Sequence, residues 1–373
     1  MLKALAEAGG KVIGGARFSL TSVLPSVLLV TIVAAVERAG LYDLGARPDF
    51  SAVQPGKDDT AAVVLFVFFA FVFGVLIRPF EAAIVQLLEG YWERPSPLAP
   101  LREAAVERHR RRRDRAAVVL RYSEDVARAE RSASASPGAR PHGGSVPLRE
   151  LAERDRRSVR LRRRAQRARR IRAGYPTEIR PDDPQEDRDS EGELLPTSLG
   201  NMLLRAERLS GDRYGLDMSH VYPRIYPFIA PRMESAVTQQ LSLIAATASL
   251  AVSLGIATLA MLPLVLRGDA WSLLPLAPAV LTVLAYRGAV SAAAFHGTLL
   301  SAVFDVHRFD LIKAFHYPVP RSADRLVGLN MMISEYLAQD EARLDQELDL
   351  PMKHEPESDD VLHRANGNGP TQA

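Results

Sequence analysis

Apolar positions in this chain come in long unbroken runs, a pattern that suits neither a half-buried helix nor an alternating strand. From Leu241 to about Leu300 two such runs stand back to back, joined only by Arg267, Gly268 and Asp269. The first, 241–266, measures roughly 39 Å as a helix at about 1.5 Å per residue, against a hydrocarbon core of about 30 Å. It predicts a tilted membrane crossing. The second is apolar from Trp271 to Tyr286 and continues through Ala289, Ala292 and Phe295 with one charge, Arg287, placed to snorkel to the cytoplasmic interface. Two earlier runs, Leu20 to Val36 and Ala61 to Ile77, predict a hairpin ahead of it. The fold class expected is all-α: a polytopic membrane protein with four transmembrane helices, a helical Arg-rich cytoplasmic insertion and a disordered C-terminal tail.

Small residues recur every four positions in the last two runs. Ala245, Ser249, Ser253 and Ala257 form one stripe; Ala285, Ala289, Ala293, Gly297 and Ser301 form the other. In lipid such stripes let helix backbones approach and pack. The polar segments show helical periodicity of their own. Phe80, Ile84, Leu87, Leu88 and Trp92 share one side of a helix that would turn along the inner leaflet. The segments 101–131 and 148–173 read as two helices around a breaker stretch, SASASPGARPHGGSVP. They predict an antiparallel hairpin whose apolar residues (Val119, Tyr122, Val126; Leu148, Leu151, Val159) are too sparse to hold it without a partner. After the fourth run Phe295, Leu299, Ala302, Val306 and Phe309 extend one apolar side, and Ser322 caps a last amphipathic helix reaching Leu348. The expected layout is 1–78 first transmembrane hairpin, 79–234 cytoplasmic Arg-rich region, 235–300 second hairpin, 301–349 cytoplasmic helices and 350–373 tail.

Charge changes the picture by giving the runs a direction. The segment from Arg78 to Arg232 holds about two thirds of the 47 Lys and Arg residues, while the loop from Glu37 to Thr60 has more acids than bases. By the positive-inside bias this places both termini in the cytoplasm of a bacterium. Arg78, Arg94 and Arg102, close behind the second run, carry most of that inference. Lys3, Lys11 and Arg17 before the first run resemble a signal-peptide start, but the second run and its acidic loop favour an uncleaved first helix. With no cysteine in the chain, disulfides, thiolate metal sites and cysteine nucleophiles are excluded.

Three readings compete for the arginines Arg162, Arg163, Arg164, Arg167, Arg169 and Arg170. They are a solvated face, a surface for anionic lipid headgroups, or a nucleic-acid surface. The last is weakest, because aromatic stacking residues are missing from the basic runs. The acidic stretch PDDPQEDRDSEGE at 181–193 could instead lie against them.

The most specific local pattern begins at Pro196, where Thr197 or Ser198 can cap a helix and Gly211 and Gly215 break it. Tyr222, Tyr226 and Phe228, interleaved with prolines, would form an aromatic belt before the third run. Gly200, Asn201, Arg205, Glu207, Arg213, Tyr214, Gly215, Asp217, Pro223, Arg224 and Pro227 make up a T-x-L-G-N, R-Y-G-x-D, P-R-x-x-P series. It resembles a motif of uncharacterised multi-pass membrane proteins of bacteria, actinobacteria in particular. Tyr222 stands where that family has Trp, and Ile225 where it has Leu. The resemblance covers about 35 residues, and more loosely Asp305, Arg308, Phe309, Asp310 and Leu311. It implies a four-helix inner-membrane protein and brings no activity or cofactor.

No hydrolase elbow, phosphate loop, dinucleotide fingerprint or HExxH is present. The leading functional expectation is a non-catalytic membrane protein whose cytoplasmic helices dock on the inner leaflet or on a protein partner as scaffold, assembly factor or sensor. The second is an oligomeric channel or small-solute transporter, with Gln239, Gln240, Thr247 and Thr258 as its polar candidates. The third is a membrane-embedded metal-dependent enzyme using His220, His296, His307 and nearby acids. A solvated helix surface with ion pairs such as Asp305 with Arg308 competes with that third reading.

Overall fold

The structure, a computed structural model, describes residues 20–43, 45–53, 60–92, 99–135, 148–176 and 194–338. Over these residues the chain is all-helical, with ten α-helices and no strand. The signal-like start, the tip of the Arg-rich hairpin at 136–147, the acidic stretch 181–193 and the tail lie outside the described residues. So does the last helix beyond Ala338. The chain divides into two units, Met1–Ser96 with Gln239–Ala293, and Pro97–Thr238 with Ala294–Ala373.

The first unit holds α1 (Leu20–Arg38), α2 (Thr60–Ile77), α3 (Glu81–Glu89), most of α8 (Pro231–Ala260) and the first half of α9 (Leu276–Ala314). Among the described residues two stretches, not the four expected from sequence, are long and apolar enough to cross a membrane, Pro231–Arg267 and Ala270–Ala314. Of the most apolar part of the second, only 17% is buried. Helices α1 and α2 form over the two earlier apolar runs, with 19 and 18 residues.

The first of these stretches is not one α-helix to Leu266. Helix α8 stops at Ala260 and the chain continues as a tight 3-10 run, Leu262–Arg267, because Pro263 has no amide hydrogen and its ring displaces the carbonyl four residues back. The turn is correspondingly longer than three residues. Gly268 takes a left-handed φ of 73°, and the Asp269 carboxylate accepts from the Trp271 amide at 3.0 Å.

Arg267 is the tie of this unit. Its side chain is 3% exposed and donates to the carbonyls of Leu41 at 2.8 Å, Asp43 at 2.6 Å and Ala46 at 2.8 Å, while its Nε meets Asp269 at 3.1 Å. Val36, Ala39, Leu41, Met261 and Leu264 form a small core there, and the Tyr42 hydroxyl donates to the Ala260 carbonyl at 3.2 Å. The loop after α1 and the loop after α8 therefore meet.

Small residues join α8 to α9. Ser249, Ser253, Ala257, Ala289 and Ala293 are buried, and Ala245 and Ala285 half-buried. A Cβ at Gly288 would lie 3.8 Å from Thr247, and one at Gly255 3.8 Å from Thr282. The Gln240 amide donates to the Ala292 carbonyl at 2.9 Å. Gly297 belongs to a different contact: a Cβ there would sit 2.8 Å from the Cβ of Ala206.

The second unit holds α4 (Ala99–Ala135), α5 (Leu148–Arg172), α6 (Ser198–Gly211), α7 (Met218–Ile225), α10 (Ala323–Ala338) and the remainder of α8 and α9. Its core packs Leu216, Val221, Ile225 and Ile229 against Val303, Phe304, Leu311 and Ile312 of α9 and Leu329 and Ile333 of α10.

Candidate functional site

Helices α4 and α5 pack against each other, and what holds them differs from the sequence expectation. Tyr122 and Val159 are exposed, whereas Ala116, Ala165 and Ala168 are buried. Alanine permits close approach but fills little space. The result is a cleft of about 760 Å³ whose lining includes Ala104, Ala116, Val119, Ala168 and Ile171.

Six arginines line the same cleft: Arg108, Arg111, Arg112 and Arg115 from α4, Arg164 and Arg167 from α5. Positions 108, 111, 112 and 115 fall three or four apart, as do 164 and 167, so each set shares one helix face. Glu107 is the one carboxylate on the wall, and it is already engaged by Arg110 at 3.3 Å and Arg111 at 2.6 Å. Among the described residues no carboxylate pairs with Arg108, Arg112, Arg115, Arg164 or Arg167. The structure thus splits the basic set named from sequence, all six of which are exposed: Arg164 and Arg167 line the cleft, while Arg162, Arg163, Arg169 and Arg170 do not. Arg108, Arg111, Arg112 and Arg115 become cleft residues once helix pairing is known.

The base of the hairpin is pinned. His109 Nδ1 and the Tyr175 hydroxyl are hydrogen-bonded at 2.9 Å with their rings edge to face, and Arg205 of α6 donates to the Tyr175 carbonyl at 3.2 Å. Burial lowers the His109 pKa, and Arg112 and Arg108 lower it further, against a hydrogen bond to the Pro196 backbone. Burial likewise raises Tyr175.

The motif residues build the neighbouring joints. Thr197 accepts from the Gly200 amide at 3.0 Å and starts α6. The fully buried Asn201 carboxamide accepts from the Leu195 amide at 3.1 Å and donates to the Leu195 and Thr197 carbonyls, each at 2.6 Å. Asn201 therefore substitutes for backbone partners that the chain entering α6 lacks. Gly211 admits no side chain, because a Cβ would fall 2.0 Å from the Leu216 carbonyl oxygen.

Gly215, at φ 72°, lies so close to α10 that a Cβ would sit 2.7 Å from the Val327 oxygen. Asn330 donates to the Tyr214 carbonyl at 2.8 Å, and Ser334 accepts from the Asp217 amide at 3.0 Å. The Tyr214 hydroxyl donates to Asp305 at 2.6 Å, and Arg213 pairs with the same carboxylate. Arg308 stacks over the Tyr214 ring at 4.5 Å and bonds the Asp305 backbone carbonyl. The expected ion pair between Asp305 and Arg308 is therefore replaced: the carboxylate belongs to Arg213 and Tyr214. R-Y-G and the later Asp305 segment, separate in sequence, form one clasp.

Asp217 caps α7. Burial works against its ionised form, but the Ser219 hydroxyl and amide and His220 outweigh it and hold the pKa below the ordinary value. Arg224 donates to the His220 carbonyl at 2.8 Å, and Glu207, Pro223 and Pro227 are exposed. Tyr226 and Phe228 are exposed next to α8, with the Tyr226 hydroxyl on Glu234. His307 and Asp310 lie on one side of α9 with His307 Nδ1 2.9 Å from the carboxylate. Among the described residues no three His, Asp or Glu side chains gather as a metal set, and His220 pairs instead with Asp217 at 3.2 Å.

No protein-family model, curated protein or solved structure matches this chain.

Proposed function

We propose that this chain is an integral protein of a bacterial cytoplasmic membrane, crossing it four times with both termini in the cytoplasm. Its Arg-rich helical hairpin docks on anionic headgroups of the inner leaflet, in a non-catalytic scaffolding, assembly or sensing role. The observation that carries this reading is the segregation of charge. Helices α4 and α5 carry 22 arginines against nine acids, a net +13, in a chain whose formal total is +3. The four-crossing part is supported by Arg267, which joins the loop after α1 to the loop after α8. Both are loops that the charge bias assigns to the outer side.

Arg162, Arg163, Arg169 and Arg170 project from α5 and are exposed. Each basic side chain near an anionic surface contributes on the order of 1 kcal/mol, so these four supply roughly 4 kcal/mol before orientation costs. The membership in a four-helix bacterial family that the T-x-L-G-N and R-Y-G-x-D series implies belongs to the same proposal.

Hydrogen exchange of the full-length protein in nanodiscs tests the docking. Amides of α4 and α5 should exchange more slowly in anionic than in zwitterionic lipid, and replacing Arg162, Arg163, Arg169 and Arg170 by Gln should reduce the difference. Equal exchange in both lipids would contradict docking.

A further inference from the structure

Arg162, Arg163, Arg169 and Arg170 account for docking, which leaves the solvent-open cleft between α4 and α5, with its own six exposed arginines, unexplained. Like charges on two facing helices repel, and in a stable pair they are ordinarily interleaved with acids. Here one wall presents Arg108, Arg111, Arg112 and Arg115, the other Arg164 and Arg167, and Glu107 is spent on its own helix. The floor is alanine, valine and isoleucine, so among the described residues Glu107 offsets Arg111 and no carboxylate offsets the other five arginines.

We infer that this cleft is a binding site for a compact polyanion carrying two or more phosphate groups. Guanidinium groups present fixed forks of N–H donors that match phosphate oxygens two at a time, and α4 and α5 contain arginine and no lysine. From Arg108 to Arg115 the wall runs about 10 Å at 1.5 Å per residue, which is longer than one phosphate and suits a linked pair or triplet. The cleft, about 760 Å³ and open to solvent, has room for such a molecule. Nucleic acid fits less well, because no aromatic side chain lines the cleft to stack a base. The phosphates could belong to a diphosphate lipid headgroup or to a soluble polyphosphate, since both present the same oxygens. The site stands independently of docking, because its residues are not the four arginines of α5 assigned to docking.

Calorimetric titration of inorganic tripolyphosphate into the full-length protein, held in zwitterionic nanodiscs, tests the site. Saturable one-to-one binding is expected. Arg115→Gln with Arg167→Gln should weaken it at least tenfold, whereas Arg163→Gln with Arg170→Gln, the same loss of charge, should change it less than twofold. Arg108→Gln with Arg164→Gln tests the same walls should the first pair not fold, and tripolyphosphate should raise the wild-type melting temperature where sulfate does not. Competition by a diphosphate lipid in the disc identifies the headgroup as the source, and lack of competition identifies soluble phosphate. Equal weakening by cleft and exterior pairs, absence of saturation, or tighter binding of a single-stranded RNA of matched charge would overturn the assignment. Loss of membrane docking with tripolyphosphate binding intact removes only the membrane reading.

Discussion

At Gly215 the R-Y-G turn closes onto α10, and only glycine satisfies both requirements there. Its φ of 72° is costly for any side chain, and the Val327 carbonyl leaves no room for one. Gly268 isolates the first effect, having φ 73° and no atom within 4 Å of the place a Cβ would take. Gly268→Ala should therefore cost about 1 kcal/mol from backbone strain, and Gly215→Ala about 3 kcal/mol once overpacking is added. Thermal unfolding should rank wild type above Gly268→Ala and that above Gly215→Ala; reversal of the last two would show that α10 yields freely. The T-x-L-G-N and R-Y-G-x-D series was legible in the sequence as a pattern but not as a job. Asn201, Arg213 and Tyr214 act on Leu195 and Asp305 through contacts 6 to 92 residues apart, which local spacing does not encode.

Among elements, the Arg-rich hairpin depends on its base. His109 joins Tyr175 there and Arg205 holds the Tyr175 carbonyl from α6. Because the folded His109 pKa lies below 6.5, the unfolded chain binds more protons as pH falls past that value. The contact is at full strength above pH 6.5 and is lost as pH falls toward the folded pKa. Melting of the full-length protein should drop between pH 7.5 and 5.5, and His109→Gln should flatten that part of the profile. An unchanged slope in the variant would place the sensitivity elsewhere. Asp217 does not confuse this window, since its lowered pKa acts below 3.8. Helix existence here was readable from Ala, Glu and Arg content. The packing was not, because alanine at Ala116, Ala165 and Ala168 carries almost no periodic signal, while the conspicuous Tyr122 and Val159 face outward. Pro263 shows the reverse case, in which apolar length concealed a helix end.

For the whole molecule, apolar length and charge bias outlined an all-helical chain with membrane-spanning helices, and the two longest stretches stand as candidates in the structure. What sequence could not supply was the tie between distant loops. Arg267 reads as an ordinary turn residue, yet its guanidinium collects three carbonyls of the segment 41–46. Four crossings with the arginines inside is the claim on which the docking proposal stands, and the absence of cysteine makes it directly measurable. Single cysteines introduced as Ser51→Cys, Ser272→Cys and Ser158→Cys can be probed with a membrane-impermeant maleimide. Ser51→Cys and Ser272→Cys should label in intact cells and Ser158→Cys only after permeabilisation. Labelling of Ser158→Cys in intact cells, or protection of Ser51→Cys there, would contradict it.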